Sequence, residues 1–150
     1  MAINPLKVLF VASEVEGLVK TGGLADVAKA LPQHLAREGH DVRIILPFYK
    51  TLKRRDEAKL LASRWLPTPQ GRDDISYRIY QLELDGICVY LLDCPAYFER
   101  PQLYAENNQA YPDNGERFAF LAAAALHACE QLGFAPDIAH CNDWHTGLLP

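Results

Sequence analysis

The chain has 150 residues, a net charge of −4, 49% hydrophobic residues and 23% charged residues. That balance fits one globular domain of ordinary size with a real core. No polyelectrolyte field favours nucleic acid, and no run approaches the roughly 18 apolar residues of a membrane span, so neither partner is expected.

The first apolar run, Leu6–Ala12, is interrupted by Glu14 and Glu16. It lacks the length and cleavage site of a secretory signal, so it reads as a first strand and the protein as cytoplasmic. Near-continuous apolar runs of this length suit a strand buried on both faces of a parallel sheet. The period then changes. Leu24, Val27, Ala28, Leu31 and Leu35 line one helical face, and Gly39 is placed to cap its end. Pro32 falls inside that pattern and predicts either a kinked helix or two segments meeting there. Asp41–Leu46 reads as a second strand, stopped by Pro47. Strand, helix and strand make a right-handed βαβ unit.

Residues 50–72 carry no clear period. Lys53, Arg54 and Arg55 read as a solvated turn or helix face, and Pro67, Pro69 and Gly71 mark a loop. Asp85-Gly86 between two apolar runs, Ile75–Leu84 and Ile87–Leu92, predicts a two-residue hairpin at the edge of the sheet. Asp93–Asn114 is long, polar and irregular, as functional loops often are. Asp113 and Glu116 have the spacing of a capping box before a helix over Phe118–Leu132, which Gly133 ends. Asp137–Cys141 reads as a further strand, and Thr146 as the start of another helix. The fold class is α/β: a Rossmann-like, mostly parallel sheet with an added antiparallel hairpin.

Cys88, Cys94, Cys129 and Cys141 have no CxxC spacing and read as reduced, mostly buried thiols. No paired ligand spacing points to a metal site. His34, His40 and His127 read as ordinary surface or core residues, His140 as structural, and Asp93 as a turn residue.

The segment Lys20-Thr21-Gly22-Gly23 joins the first strand to the first helix. A helix N-terminus with free N–H groups, glycines and an adjacent ammonium suits phosphate. Neither GxGxxG nor GxxxxGK[ST] is present. A tight structural turn therefore remains an equal reading of the residues alone.

Three ordered motifs add weight. Ser13-Glu14 precedes KTGGLADV at 20–27 and ALP at 30–32. Arg100-Pro101 precedes Tyr104, Tyr111, Asp113, Asn114, Arg117 and Phe118. His140 opens a segment running through Asp143-Trp144-His145 to Gly147-Leu148. Together they resemble the family of bacterial glycogen synthases and plant starch synthases, over about Val8 to Pro150. The resemblance implies a glycosyltransferase B architecture of two Rossmann-like domains. Residues 1–150 would be an incomplete N-terminal, acceptor-side domain, with the nucleotide-sugar domain outside the chain. It implies retaining transfer of glucose from ADP-glucose to an α-1,4-glucan such as glycogen, with no metal or other cofactor.

By the same resemblance Lys20, Gly22 and Gly23 face the donor phosphates, and Asp143 and His145 are the catalytic candidates beside the transferred glucose. Glu14, Asp26, Tyr104 and Trp144 fall on the glucan or glucose side. Trp144 has two readings, stacking on a sugar or packing in the core. Asp113, Asn114 and Arg117 have two as well, anchoring the long helix or serving the site. The resemblance also implies that a T-H-N segment and further charged residues follow residue 150, so these 150 residues alone are expected to be inactive. UDP-glucose is the alternative donor, since the base-reading residues lie outside the chain. Two other classes compete: a non-catalytic glucan- or nucleotide-sugar-binding module, and a flavodoxin-like carrier domain. The oligomeric state is not legible.

Overall fold

The computed structural model describes residues 4–68 and 74–150. In chain order the elements are β1 (Lys7–Val11), α1 (Gly23–Arg37), β2 (Asp41–Pro47), β3 (Lys59–Leu66), β4 (Ile75–Leu84) and β5 (Ile87–Asp93). A short α2 (Pro95–Phe98), β6 (Ala105–Glu106), β7 (Gln109–Ala110), α3 (Asn114–Leu132) and β8 (Ile138–Cys141) follow. The main sheet has the order β3-β4-β5-β2-β1-β8. The β5-β2-β1-β8 side is parallel, and the β3-β4-β5 arm is antiparallel.

Strand β1 is the centre of the parallel side. Leu9, Phe10 and Val11 have no exposed surface, which requires cover on both faces of the sheet. Each such side chain stabilises the fold by roughly 1.5–3 kcal/mol. Between β4 and β5, Asp85 and Gly86 both adopt positive φ, 48° and 85°, as a type I′ hairpin requires. Helix α1 ends as expected. The Gly39 N–H donates to the Ala36 carbonyl and His40 N–H to the Leu35 carbonyl, with Gly39 at φ 97°. This is a Schellman arrangement. Gly133 ends α3 in the same left-handed region.

Several expectations change. Pro32 sits buried inside one continuous helix, not between two segments. The inward face of α1 is Ala25, Ala28 and Pro32, with Leu24, Leu31 and Leu35 at its margins, while Val27 turns outward. Small side chains let the helix lie close to the sheet, and the larger ones seal the sides. The unassigned stretch holds β3, which extends the arm beyond the hairpin. Pro69 and Gly71 of the expected loop lie outside the described residues. The capping box does not form. The Asp113 side chain makes no cap bond and instead accepts two 2.6 Å bonds from the Arg100 guanidinium. A bidentate charged pair outcompetes a single bond to a neutral N–H. Thr146 does not open a helix; it closes a single turn over Trp144–Thr146. Cys94 and Cys129 are buried, Cys88 and Cys141 half-buried, and all four are free thiols.

Candidate active site

From β1 the chain runs through α1 to β2 on one side, and the later strand β8 pairs with the other side of β1. The topology therefore reverses between β1 and β8. Open α/β sheets bind ligands at the carboxyl ends of strands at such a switch point. The loop after β1 carries Glu14 and Lys20–Gly23, and the loop after β8 carries Asp143–His145. Two motifs from opposite ends of the sequence thus meet at one crevice.

Glu14 is buried, 3% exposed, and its carboxylate accepts from the Thr21 N–H at 2.7 Å and from the Thr21 hydroxyl. This bond folds the glycine loop back onto the strand end. Gly22 and Gly23 then start α1 in the open. A Cβ built on either glycine meets no atom within 4 Å, so the described packing does not demand glycine there. The space above is free for a ligand to approach the main chain. The Lys20 ammonium stands beside it, donating to Asp26 at 2.6 Å, with both side chains about half exposed. The hydrogen bond to Asp26 raises the Lys20 pKa, and the Lys20 bond lowers that of Asp26.

The other wall is aromatic. The Tyr104 and Ser13 hydroxyls share a 2.7 Å hydrogen bond, which ties the long loop to the end of β1. Burial pushes the Tyr104 pKa well up, so it is a neutral hydrogen-bonding group. The His145 ring is packed between Trp144 (3.9 Å between centroids), Tyr104 (4.7 Å) and Phe118 (4.9 Å). Trp144 meets Phe118 edge-on at 5.1 Å and remains 53% exposed, so it packs on one side and is open on the other. Between the glycine loop and this wall lies a surface cavity of about 320 Å³, lined by Thr21, Pro101, Gln102, Leu103, Tyr104 and Ala105.

Asp143 is exposed and strained. Its φ of 64° and ψ of −175° lie in a region that glycine alone adopts freely. Its carboxylate accepts from the Trp144 N–H at 2.7 Å. Asn142 beneath it donates to the Val11 carbonyl at 2.9 Å and the His140 carbonyl at 3.2 Å, fixing the turn to both strand ends. The His140 ring stacks on Phe10 at 4.7 Å. Ser13, Thr21 and Asn142 shape the crevice; the motifs included them, but sequence reasoning assigned them no role of their own.

His145 is 4% exposed, and neither ring nitrogen has a hydrogen-bond partner among the described residues. Burial lowers its pKa from 6.5 to about 4, against a smaller opposing effect of Asp143. The ring is therefore neutral at pH 7. Between these two values the unfolded chain binds a proton that the folded chain does not. Stability is complete above about pH 6.5 and is lost as the pH falls through 4, by roughly 3 kcal/mol. Urea unfolding across that window will show this slope in the wild type and a flatter one in His145→Phe. Equal slopes would mean that other groups set the acid limit.

The family model described as the starch synthase catalytic domain matches residues 7–150. The chain belongs to that family. Over all 150 residues it is 85% identical to a glycogen synthase of Aeromonas hydrophila, and over 147 residues it is 59% identical to one of Photobacterium profundum. It covers 31% and 29% of those two proteins, so it spans about a third of their length. The catalytic domain of starch synthase IV from Arabidopsis thaliana, solved bound to ADP and acarbose, superposes with a TM-score of 0.85 at 31% identity. That match covers 97% of this chain and 29% of the other.

Proposed function

We propose that these residues are part of the N-terminal, acceptor-side domain of a glycogen synthase. The reaction moves glucose from ADP-glucose to the non-reducing end of an α-1,4-glucan with retention of configuration. The bond from the glucose anomeric carbon to the diphosphate oxygen breaks, and a bond to the glucan 4-oxygen forms. ADP departs with the electron pair, and the proton of the 4-hydroxyl passes to the departing diphosphate oxygen.

The observation that carries the reading is the crevice between β1 and β8, where a phosphate-type loop faces a carboxylate and an aromatic wall. The high identity to glycogen synthases supports it, as does a structural neighbour bound to ADP and acarbose. Charge grows on the departing diphosphate, so fixed positive groups there lower the barrier most. Lys20 and the N–H groups at Gly22 and Gly23 take that role. Asp143 faces the glucose, where a carboxylate stabilises positive charge at the anomeric carbon or holds hydroxyls. His145, whose unpaired ring nitrogens are buried under Trp144 and Tyr104, takes a hydrogen bond with the same sugar once that cover shifts. Glu14, Asp26, Tyr104 and the open face of Trp144 serve the glucan and glucose side. The second domain supplies the rest of the charge and closes the cleft. This reading invokes no cofactor and no metal. Among the described residues no helix is long and apolar enough to cross a membrane. Leu6–Ala12 lies in and beside a buried central strand, which favours the cytoplasmic placement.

The test is an assay of the full-length protein with labelled ADP-glucose and glycogen. Label entering α-1,4-linked chains, with one ADP released per glucose, is expected. Binding of both ligands without incorporation would make the protein a carbohydrate-binding module instead.

A further inference from the structure

Arg117 is the largest fully buried side chain in the described structure, at 0% exposure. Burying a guanidinium is costly, and removing it from water lowers its pKa. Among the described residues it forms no ion pair; the nearby carboxylate of Asp113 is taken by Arg100. Its bonds go elsewhere. Nε donates to the Tyr97 carbonyl at 2.7 Å, and Nη1 donates to the Leu103 carbonyl at 2.8 Å and to Asn114 Oδ1 at 2.8 Å. Asn114 in turn donates from Nδ2 to the Tyr104 carbonyl at 2.9 Å. The cation is further held against the rings of Tyr111 and Phe118, at 5.0 and 5.3 Å.

Nη2 has no partner among the described residues, but Nε, Nη1 and, through Asn114, Nδ2 reach from the first turn of α3 to the main-chain carbonyls of Tyr97, Leu103 and Tyr104, at both ends of the 97–104 segment. An apolar side chain would anchor the helix without this cost. A fork of planar donors does something else: it fixes a segment that lies outside the main sheet, ahead of the short β6–β7 ladder. The far end of that segment is Tyr104, whose hydroxyl reaches Ser13 and whose ring contacts His145. We infer that Arg117 is a positioning residue for the acceptor site, setting the Tyr104 wall of the crevice through the main chain of residues 97–104. This rests on the transfer reading above for its kinetic consequence, and on geometry alone for its spectroscopic one.

The experiment uses the full-length protein with Arg117→Lys, which keeps the charge and loses the fork, and Arg117→Met as the apolar control. In a Trp65→Phe background, Trp144 is the remaining tryptophan of this segment, and its ring lies 5.9 Å from that of Tyr104. So that the signal of any tryptophan outside this segment cancels, Trp144 is read as the difference from a Trp65→Phe/Trp144→Phe protein. Arg117→Lys is expected to shift that difference emission and raise its acrylamide quenching. It is also expected to raise the KM for malto-oligosaccharide acceptor about tenfold while the KM for ADP-glucose stays within twofold. Combined with Tyr104→Ala it should cost no more than Tyr104→Ala alone. A variant with a lowered melting temperature but unchanged emission and acceptor KM would overturn the inference, leaving Arg117 a helix anchor. So would losses that multiply with those of Tyr104→Ala. If Arg117→Met fails to fold, Arg117→Lys still decides. If the wild type transfers no glucose, the functional reading fails, and the Trp144 signal alone decides this one.

Discussion

Lys20→Ala in the full-length protein will lower kcat/KM for ADP-glucose about a hundredfold, the scale seen when one preorganised donor is removed from a developing anion. Its melting temperature will not move. The ammonium and its partner Asp26 are both about half exposed, and exposed ion pairs contribute little to folding. In the free crevice Asp26 occupies the ammonium at 2.6 Å, so a bound diphosphate must share or displace that contact. Asp26→Asn therefore provides a second reading of the same interaction. It frees the ammonium and should weaken the dependence of the donor KM on added salt far less than Lys20→Ala does. An unchanged catalytic efficiency in Lys20→Ala would remove Lys20 from the phosphate site, and the glycine turn would then be structural.

Replacing Asp143 separates chemistry from stability. Its backbone conformation costs roughly 1–3 kcal/mol for a residue with a side chain, and its bond to the Trp144 N–H returns about 1 kcal/mol. Asp143→Ala keeps the strain and loses the bond, so it should destabilise the fold. Asp143→Gly loses the bond and relieves the strain, so it should be the more stable of the two and close to the wild type. That order is the reverse of the usual ranking of glycine and alanine. Both variants should lose at least about a hundredfold in kcat if the carboxylate faces the glucose. Unfolding in urea and steady-state rates on the same preparations decide it. A glycine variant less stable than alanine would contradict the strain, and an active one would contradict the role.

The local signals in the sequence were the dependable ones. Asp85-Gly86 fixed its hairpin, and Gly39 and Gly133 fixed their helix ends, because each needs only its own backbone conformation. Strand β3 was illegible for a physical reason. A register irregularity between Leu60 and Ala62 breaks the alternation that a period search looks for. The capping box failed because the competitor for Asp113 is Arg100, 13 residues away in sequence. For the site, motifs pointed to Glu14, Lys20, Tyr104 and Asp143, but no local pattern told that the loops after β1 and β8 share a crevice. Nor did residue type tell that His145 is enclosed in rings while Trp144 is half open. That division follows from Phe118 and Tyr104 arriving from distant segments.

The pairing of β1 with β8 has a consequence for synthesis. Lys7 and Asp137, 130 residues apart, bind each other at the start of this pairing, through the Lys7 N–H and the Asp137 carboxylate at 2.8 Å. While the chain is being made, β1 waits with one edge bare until β8 emerges from the ribosome. Contacts so distant in sequence form slowly. A bare apolar edge is what chaperones and neighbouring chains recognise. Translational arrest before Cys141 would therefore release a chain with a sticky central strand and only half a crevice.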